Sequence, residues 1–421
     1  MIILRQETYW TLFVCTITHT FVHVFSFMHL ALMPVFMSEF GLSIFELGLL
    51  ASIPLAISIL ISIPYGFLTD RISPRNLIAA SLLLSGFSGL ALTQADDLVT
   101  LLLPLILIPL SSTLYHPPTL TVVSELFPPN QRNRVLGIHG AGGTSGVAIG
   151  PISLGIVMGT LGWRFAYVMW VIPILVSTLF LLKLPKAAKT TYHNPEEAGG
   201  SEILKENKGP RTPRFGYLVL LIAMSINGIG GQSVSTYMTS YLVSHRGFAE
   251  SMASLVYGLN SFVGILGSVS GGYLAERFGG KRWMTIAYVA GLFVLTGVWL
   301  GPMWFLILIY LSGGFFGAST MGPSSSLVAE FSPRERRGLA YTMFMVSFSL
   351  MGAVSPLIAA KIIELYEIQA LFPFAIVFSL VSTSLLQLMP QTRRSDRHDF
   401  PPTESPKQIT GTHFCVSARK S

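Results

Sequence analysis

The chain runs to 421 residues, 51% of them hydrophobic and 11% charged, with a net charge of +7; an ordinary soluble domain carries about 25% charged residues. Apolar runs long enough to cross a hydrocarbon core of about 30 Å recur from end to end, most without the polar face a soluble helix needs, so a soluble globular fold is excluded. The positive balance does not signal nucleic acid, because the lysines and arginines fall in short loops and the tail, where they set orientation in a bilayer.

Twelve spans are predicted, and the fold class is an all-α membrane protein built as two six-helix bundles. Six lie near 10–36, 44–68, 75–94, 98–122, 135–160 and 162–183, and six more near 214–243, 251–275, 283–300, 303–328, 338–361 and 367–389. Residues 1–183 form the first bundle and 214–390 the second. The linker 184–213 and the tail 391–421 have compositions that cannot build a packed core. After Arg5 the first apolar run is too long for a signal-peptide core, so it reads as a retained span.

Span 1 carries His19, His23 and Ser26 on one stripe, with His29 off it. Polar groups at that depth face a protein interior or a water-filled cavity. An imidazole titrates in the physiological range, so His19 or His23 is the expected proton carrier or substrate donor, set against a neutral histidine bonded to a carbonyl. His-x3-His also suits two metal ligands on one helix face. A zinc protease of that type needs Glu after the first histidine, however, and Thr20 stands there. His116 and His139, both candidate cavity residues, read as isolated from metal partners in spans 4 and 5, so no metal, cofactor or enzymatic activity is expected.

Span 2 ends in the charged knot Gly66, Asp70, Arg71, Arg75, which returns 206 positions later as Gly272, Glu276, Arg277. Glu125 to Arg132 is mirrored by Glu330 to Arg336, and Gly150-Pro151 by Ser355-Pro356, at nearly the same offset. Such duplication is the plan of transporters whose site lies between repeats, although a purely structural scaffold would also carry it. In span 4, Tyr115-His116-Pro117-Pro118 breaks the backbone ladder, and Tyr115, His116 and Thr119 are candidate cavity residues. In span 5, Gly142, Gly146 and Gly150 share a face; with Gly137 and the bend at Pro151 they read as a pivot against a helix of the opposite half, or as ordinary close packing. The second half offers Asn227, Gln232, Tyr237, Tyr241 and Asn260 as the facing wall.

All lysines and arginines except Arg164, Arg246 and Lys361 lie in the even-numbered connections and the termini. The positive-inside rule then places both termini and the linker in the cytoplasm of an inner-membrane protein. No lysine, arginine, aspartate or glutamate sits deep in a predicted span, so the site is read as neutral and hydrogen-bonding. Cys15 and Cys415 make no disulfide framework, and no G-x4-G-K-[ST] motif points to ATP.

The knot at Gly66–Arg75 and its echo resemble the signature of the major facilitator superfamily between spans 2 and 3, with Ser73 and Pro74 departing from it. The span-5 run Gly137, Gly146, Gly150-Pro151, Gly155 is similar to the antiporter-associated pattern, with Leu154 replacing one glycine. With Tyr115-His116-Pro117, His19, His23 and Pro34, the first half resembles the fosmidomycin-resistance branch. That resemblance implies alternating access by rocking of two halves and proton-coupled export of a small organic compound by a monomer. It also implies Asp70 as a latch against span 11. Uptake or facilitated diffusion is the alternative. Where the branch often has an aspartate this chain has His23, so a proton site mapped there would use an imidazole.

Overall fold

Because lipid offers no hydrogen bonds, each crossing must satisfy its own backbone, and the chain does so with helices. The computed structural model describes residues 2–69, 72–127, 129–183, 213–332 and 337–390. Span 1 is built from α1 (Ile2–Val24), α2 (Met28–Ala31) and α3 (Met33–Phe40). Spans 2 to 4 are α4 (Ile44–Thr69), α5 (Pro74–Leu92) and α6 (Leu98–Leu126). Spans 5 and 6 run together as α7 (Pro129–Phe180). Spans 7 to 9 are α8 (Pro213–Ser244), α9 (Glu250–Phe278) and α10 (Gly280–Leu300). Span 10 is split into α11 (Met303–Ala318) and α12 (Met321–Phe331), and α13 (Arg337–Tyr366) and α14 (Leu371–Gln387) complete the bundle. Linker residues 184–212 and the tail 391–421 lie outside the described residues.

Among the described residues eleven helices are long and apolar enough to cross a membrane, and one of these, Arg134–Phe180, has 47 residues. At 1.5 Å per residue that is about twice the hydrocarbon thickness. Gly162, at φ 78°, breaks it into two crossings, which makes twelve. A positive φ is a conformation glycine adopts without a Cβ clash.

Two spans expected to be continuous are broken, each for a local reason. In span 1 the ladder tightens to Ser26 N–H on His23 O and Met28 N–H on Phe25 O, three residues back. There the Ser26 hydroxyl is engaged with the His23 ring, 3.1 Å from Nδ1. In span 10, Pro323 has no N–H to offer Ser319, four residues earlier. The freed Ser319 carbonyl accepts from Trp283 Nε1 at 3.3 Å instead. In span 4, Pro118 likewise frees the Leu114 carbonyl, and Tyr65 Oη donates to it at 2.7 Å. Asp97 caps α6 in a reciprocal box with Thr100.

Residues Met1–Pro390 form one compact unit, yet its apolar core is not uniform. The largest cluster mixes first-half residues such as Leu30, Phe36, Leu47 and Tyr167 with Tyr237, Tyr241, Val256 and Phe372 of the second half. The other clusters stay within one half. One gathers Val219, Met284, Phe331 and Leu386, the other Leu12, Val123, Phe127 and Val135. The halves therefore share a core at the end that carries the 1–2 and 7–8 loops and keep separate cores at the linker end. Hydrogen bonds stitch the shared end: Thr239 Oγ1 to Leu30 O at 2.8 Å, Ser254 Oγ to Ala31 O at 3.0 Å, and Tyr237 Oη to Ile44 O at 3.3 Å.

Candidate substrate cavity and imidazole cluster

A cavity of about 290 Å³ opens on the inner face of the second half. Asn227, Ser235, Tyr257, Asn260, Tyr288 and Tyr310 line it, and Phe27 closes it from the first half. Among the described residues no ionisable group other than tyrosine borders it. Helices α8, α10 and α11 can recede from this space because Gly231, Gly291 and Gly317 carry no side chain there; a Cβ at any of them meets nothing within 4 Å. The polar groups are held in place: Asn260 Nδ2 donates to Tyr310 O at 2.6 Å, and the Ser235 and Tyr257 hydroxyls lie 2.8 Å apart. Such a wall binds by shape and hydrogen bonding.

Of the residues expected on this wall, Asn227 and Asn260 line the cavity and the others do not. Tyr237 is fully buried with its hydroxyl on Ile44 O and Pro356 O, so it belongs to the seal between halves. Tyr241 is also buried: its hydroxyl donates to Val298 O at 3.1 Å, accepts from Arg246 Nε at 2.7 Å, and its ring stands edge-on to Phe372. Gln232 is turned toward Gly352 of span 11. In these positions an aromatic or amide group meets a helix backbone before it can reach the cavity. Ser235, Tyr288 and Tyr310 were not singled out from the sequence, because tyrosines and serines in an apolar run look the same whichever way they face.

The first half presents a different site. The expectation that His116 and His139 stand alone is corrected: His19, His23, His116 and His139 converge from spans 1, 4 and 5. Ring centroids are 5.0 Å apart for His19 and His23, 5.0 Å for His19 and His116, and 5.2 Å for His23 and His116. His139 stacks on His19 at 4.2 Å. His19 Nδ1 lies 2.7 Å from the His139 carbonyl, which can only accept, so Nδ1 carries the proton and Nε2 holds the lone pair. His23 Nε2 and His116 Nε2 face each other at 3.2 Å, and His23 Nδ1 meets Ser26. Tyr115 stacks on His19 and its hydroxyl donates to Cys15 O at 2.5 Å, clamping span 4 onto span 1. Thr119 is buried with its hydroxyl on Tyr115 O, so it braces the helix and lines no cavity.

Of the two readings of the glycine stripe, the contacts of Gly142, Gly146 and Gly150 fit close packing within one half. Gly142, Gly146 and Gly150 face span 1 of the same half, where a Cβ would meet Thr16 O at 2.4 Å, Thr20 O at 2.2 Å and Val24 O at 2.0 Å. Gly137 faces open space. The opposite half is met further along: a Cβ on Gly155 would come 2.6 Å from Leu255 N, and one on Gly258 would come 2.6 Å from Ile152 N and 3.1 Å from Pro151 C. A stripe of small residues announces close approach but not the partner. Gly143, overlooked in the sequence, makes room for the His19 ring, which its Cβ would meet at 2.6 Å.

At the linker end, Gly66 lies within α4 and Arg75 in the first turn of α5, while Asp70 and Arg71 fall outside the described residues. Gly272 packs against Gly322, and Glu276 and Arg277 are exposed, with Arg277 over the Phe278 ring at 5.6 Å.

The family model described as Major Facilitator Superfamily matches residues 15–311 and 220–418. The chain belongs to the Major Facilitator Superfamily. As a member it is a transporter of the membrane-embedded, non-enzymatic kind. It is 27% identical over 319 residues to the cis,cis-muconate transport protein of Acinetobacter baylyi, covering 72% of this chain and 75% of that one. It is 26% identical over 223 residues to an MFS-type efflux pump of Mycolicibacterium smegmatis, covering 49% of this chain and 50% of the pump. In fold it is similar to a bacterial homologue of the human lysosomal transporter Spinster in an inward-facing, unoccupied conformation, with a TM-score of 0.74, 16% identity, and 91% and 97% of the two chains covered.

Proposed function

We propose that this superfamily member is a secondary active transporter that exports a small organic compound across the inner membrane, driven by proton entry. The observation that carries alternating access is the lopsided core: one end sealed by apolar packing and hydrogen bonds from both halves, the other with a separate core in each half. Two rigid halves hinged at one seam need only a modest free-energy difference to exchange the sealed end. With the termini and linker cytoplasmic, the sealed end is the outer one and the cavity communicates with the cytoplasm. The neutral, amide- and hydroxyl-lined cavity suits a neutral or weakly charged amphiphilic solute better than an inorganic ion. A scaffold without transport would have no use for a void of this size.

The export direction and the proton as driving ion rest on the likeness of the span-5 glycine pattern and the first-half histidines to the fosmidomycin-resistance branch, and on the efflux-pump relative. The protein is read as a functional monomer, since each chain holds both halves. The test is transport by purified protein in vesicles that enclose a pH-sensitive dye. A solute found by thermal-shift screening should move against its gradient when a proton gradient is imposed, and its own gradient should move protons in the opposite direction. Solute flux without proton flux sinks the coupling, and accumulation in the direction of proton flow would make the protein an importer.

A further inference from the structure

We propose that His19, His23 and His116 form a binding site for a divalent first-row transition metal ion of the zinc class, inside the first half and apart from the substrate cavity. One ligand nitrogen from each of the three lies within 4.8 Å of the others. A tetrahedral zinc ion sits about 2.0–2.1 Å from each imidazole nitrogen, which sets the spacing between nitrogens at about 3.4 Å. The His23 and His116 Nε2 atoms already stand 3.2 Å apart. His19 has to bring its ligand nitrogen from within 4.8 Å of the other two to about 3.4 Å.

Two further features match what such a site requires. A metal-bound histidine is oriented by donating its other ring N–H to a carbonyl or carboxylate. His19 does this toward His139 O, and the ring is further held between Tyr115 and His139. Its Nε2 is then a lone pair, buried, with no hydrogen-bond partner among the described residues. A buried acceptor without a partner carries a cost that a ligand removes. The His23 Nδ1 contact with Ser26 orients that ring, and its Nε2 is turned to His116 Nε2. Three imidazoles without a thiolate or carboxylate suit zinc, nickel or copper and disfavour magnesium and calcium, and three protein ligands leave a fourth position open.

The site ties span 1 to span 4 and borrows its orientation from span 5, so an ion there would brace these three spans. The test is a Co(II) titration of the full-length purified protein, carrying a tag without histidines, followed by its visible absorption and by competition with Zn(II). We expect one ion per chain, displaced by zinc, and at least a tenfold loss of affinity in His116→Gln and in His23→Gln. His29→Gln, which changes a span-1 histidine outside the cluster, should bind as the parent does, and melting temperatures without metal should show all three variants folded. No absorption change in the parent, or undiminished affinity in His116→Gln, overturns the proposal. Neither result bears on solute transport, which the vesicle assay reads separately.

Discussion

His19 of span 1 donates its Nδ1 proton to the main-chain carbonyl of His139 in span 5, 2.7 Å away, and the two rings stack with centroids 4.2 Å apart. One side-chain bond thus joins two spans and fixes a tautomer. The arrangement exists only because Gly143, one turn along span 5, leaves space for the His19 ring.

Gly143→Ala should therefore disturb His19 while leaving the rest of the bundle intact. Its Cβ would come within 2.6 Å of the imidazole, and overpacking of this kind typically costs about 1–3 kcal/mol. A lower melting temperature together with weakened Co(II) binding is expected. An unchanged metal affinity would show that His19 is not held where the structure places it.

The same helix provides a sharper contrast. At Gly150 an added methyl would meet Val24 O at 2.0 Å, a backbone atom that cannot turn away, whereas at Gly137 it meets nothing within 4 Å. Gly150→Ala should be expressed poorly or melt well below the parent, and Gly137→Ala should melt within about 0.5 kcal/mol of it. Equal behaviour of the two would mean that spans 1 and 5 do not approach this closely.

Tyr237→Phe removes a hydroxyl bonded to Ile44 O and Pro356 O at the sealed end. Each such bond is worth about 0.5–1.5 kcal/mol net, enough to shift an equilibrium between two conformations several-fold. A cysteine placed at the buried Ala253, in a Cys415→Ser background, should react with a membrane-impermeant maleimide faster when Tyr237→Phe is also present. An unaltered labelling rate would remove Tyr237 from the seal.

Asn260→Ala takes from the cavity wall an amide that donates to Tyr310 O at 2.6 Å. A solute that raises the melting temperature of the parent should lose most of that effect in the variant, with folding retained. Full stabilisation of the variant by the same solute would place binding elsewhere.

Asp97 caps the N-terminal end of α6 and accepts from the Thr100 N–H and hydroxyl. These bonds favour the carboxylate and hold its pKa below the usual 3.8. The sign follows: a group whose pKa is lowered on folding adds stability above its unfolded value and loses it as pH falls through the folded one. Asp97→Asn should therefore lose stability near neutrality and flatten the acid limb of a thermal-stability profile, the two profiles converging below about pH 4. An acid limb identical to the parent's would show the cap to be without effect.

The twelve crossings, the two-half repeat and the absence of charge at depth were legible in the sequence alone. In lipid each helix must satisfy its own backbone, so length and apolarity announce a span without reference to its neighbours. Where local chemistry intervened, the spans were less legible: Pro323 split span 10, and span 1 tightens into a turn at His23–Ser26. Tertiary structure alone decided which groups meet. His116 and His139 lie 93 and 120 positions from their partners on span 1, and a histidine in an apolar run carries no mark of the helix it will face. For the same reason the glycines of span 5 declared a close contact but not that it is with span 1, and Tyr237 and Tyr241 looked like cavity residues until the backbones they cap were in place. Helix formation is local and hydropathy reports it. Helix pairing depends on side-chain shape across long sequence separations, and only the assembled bundle expresses that.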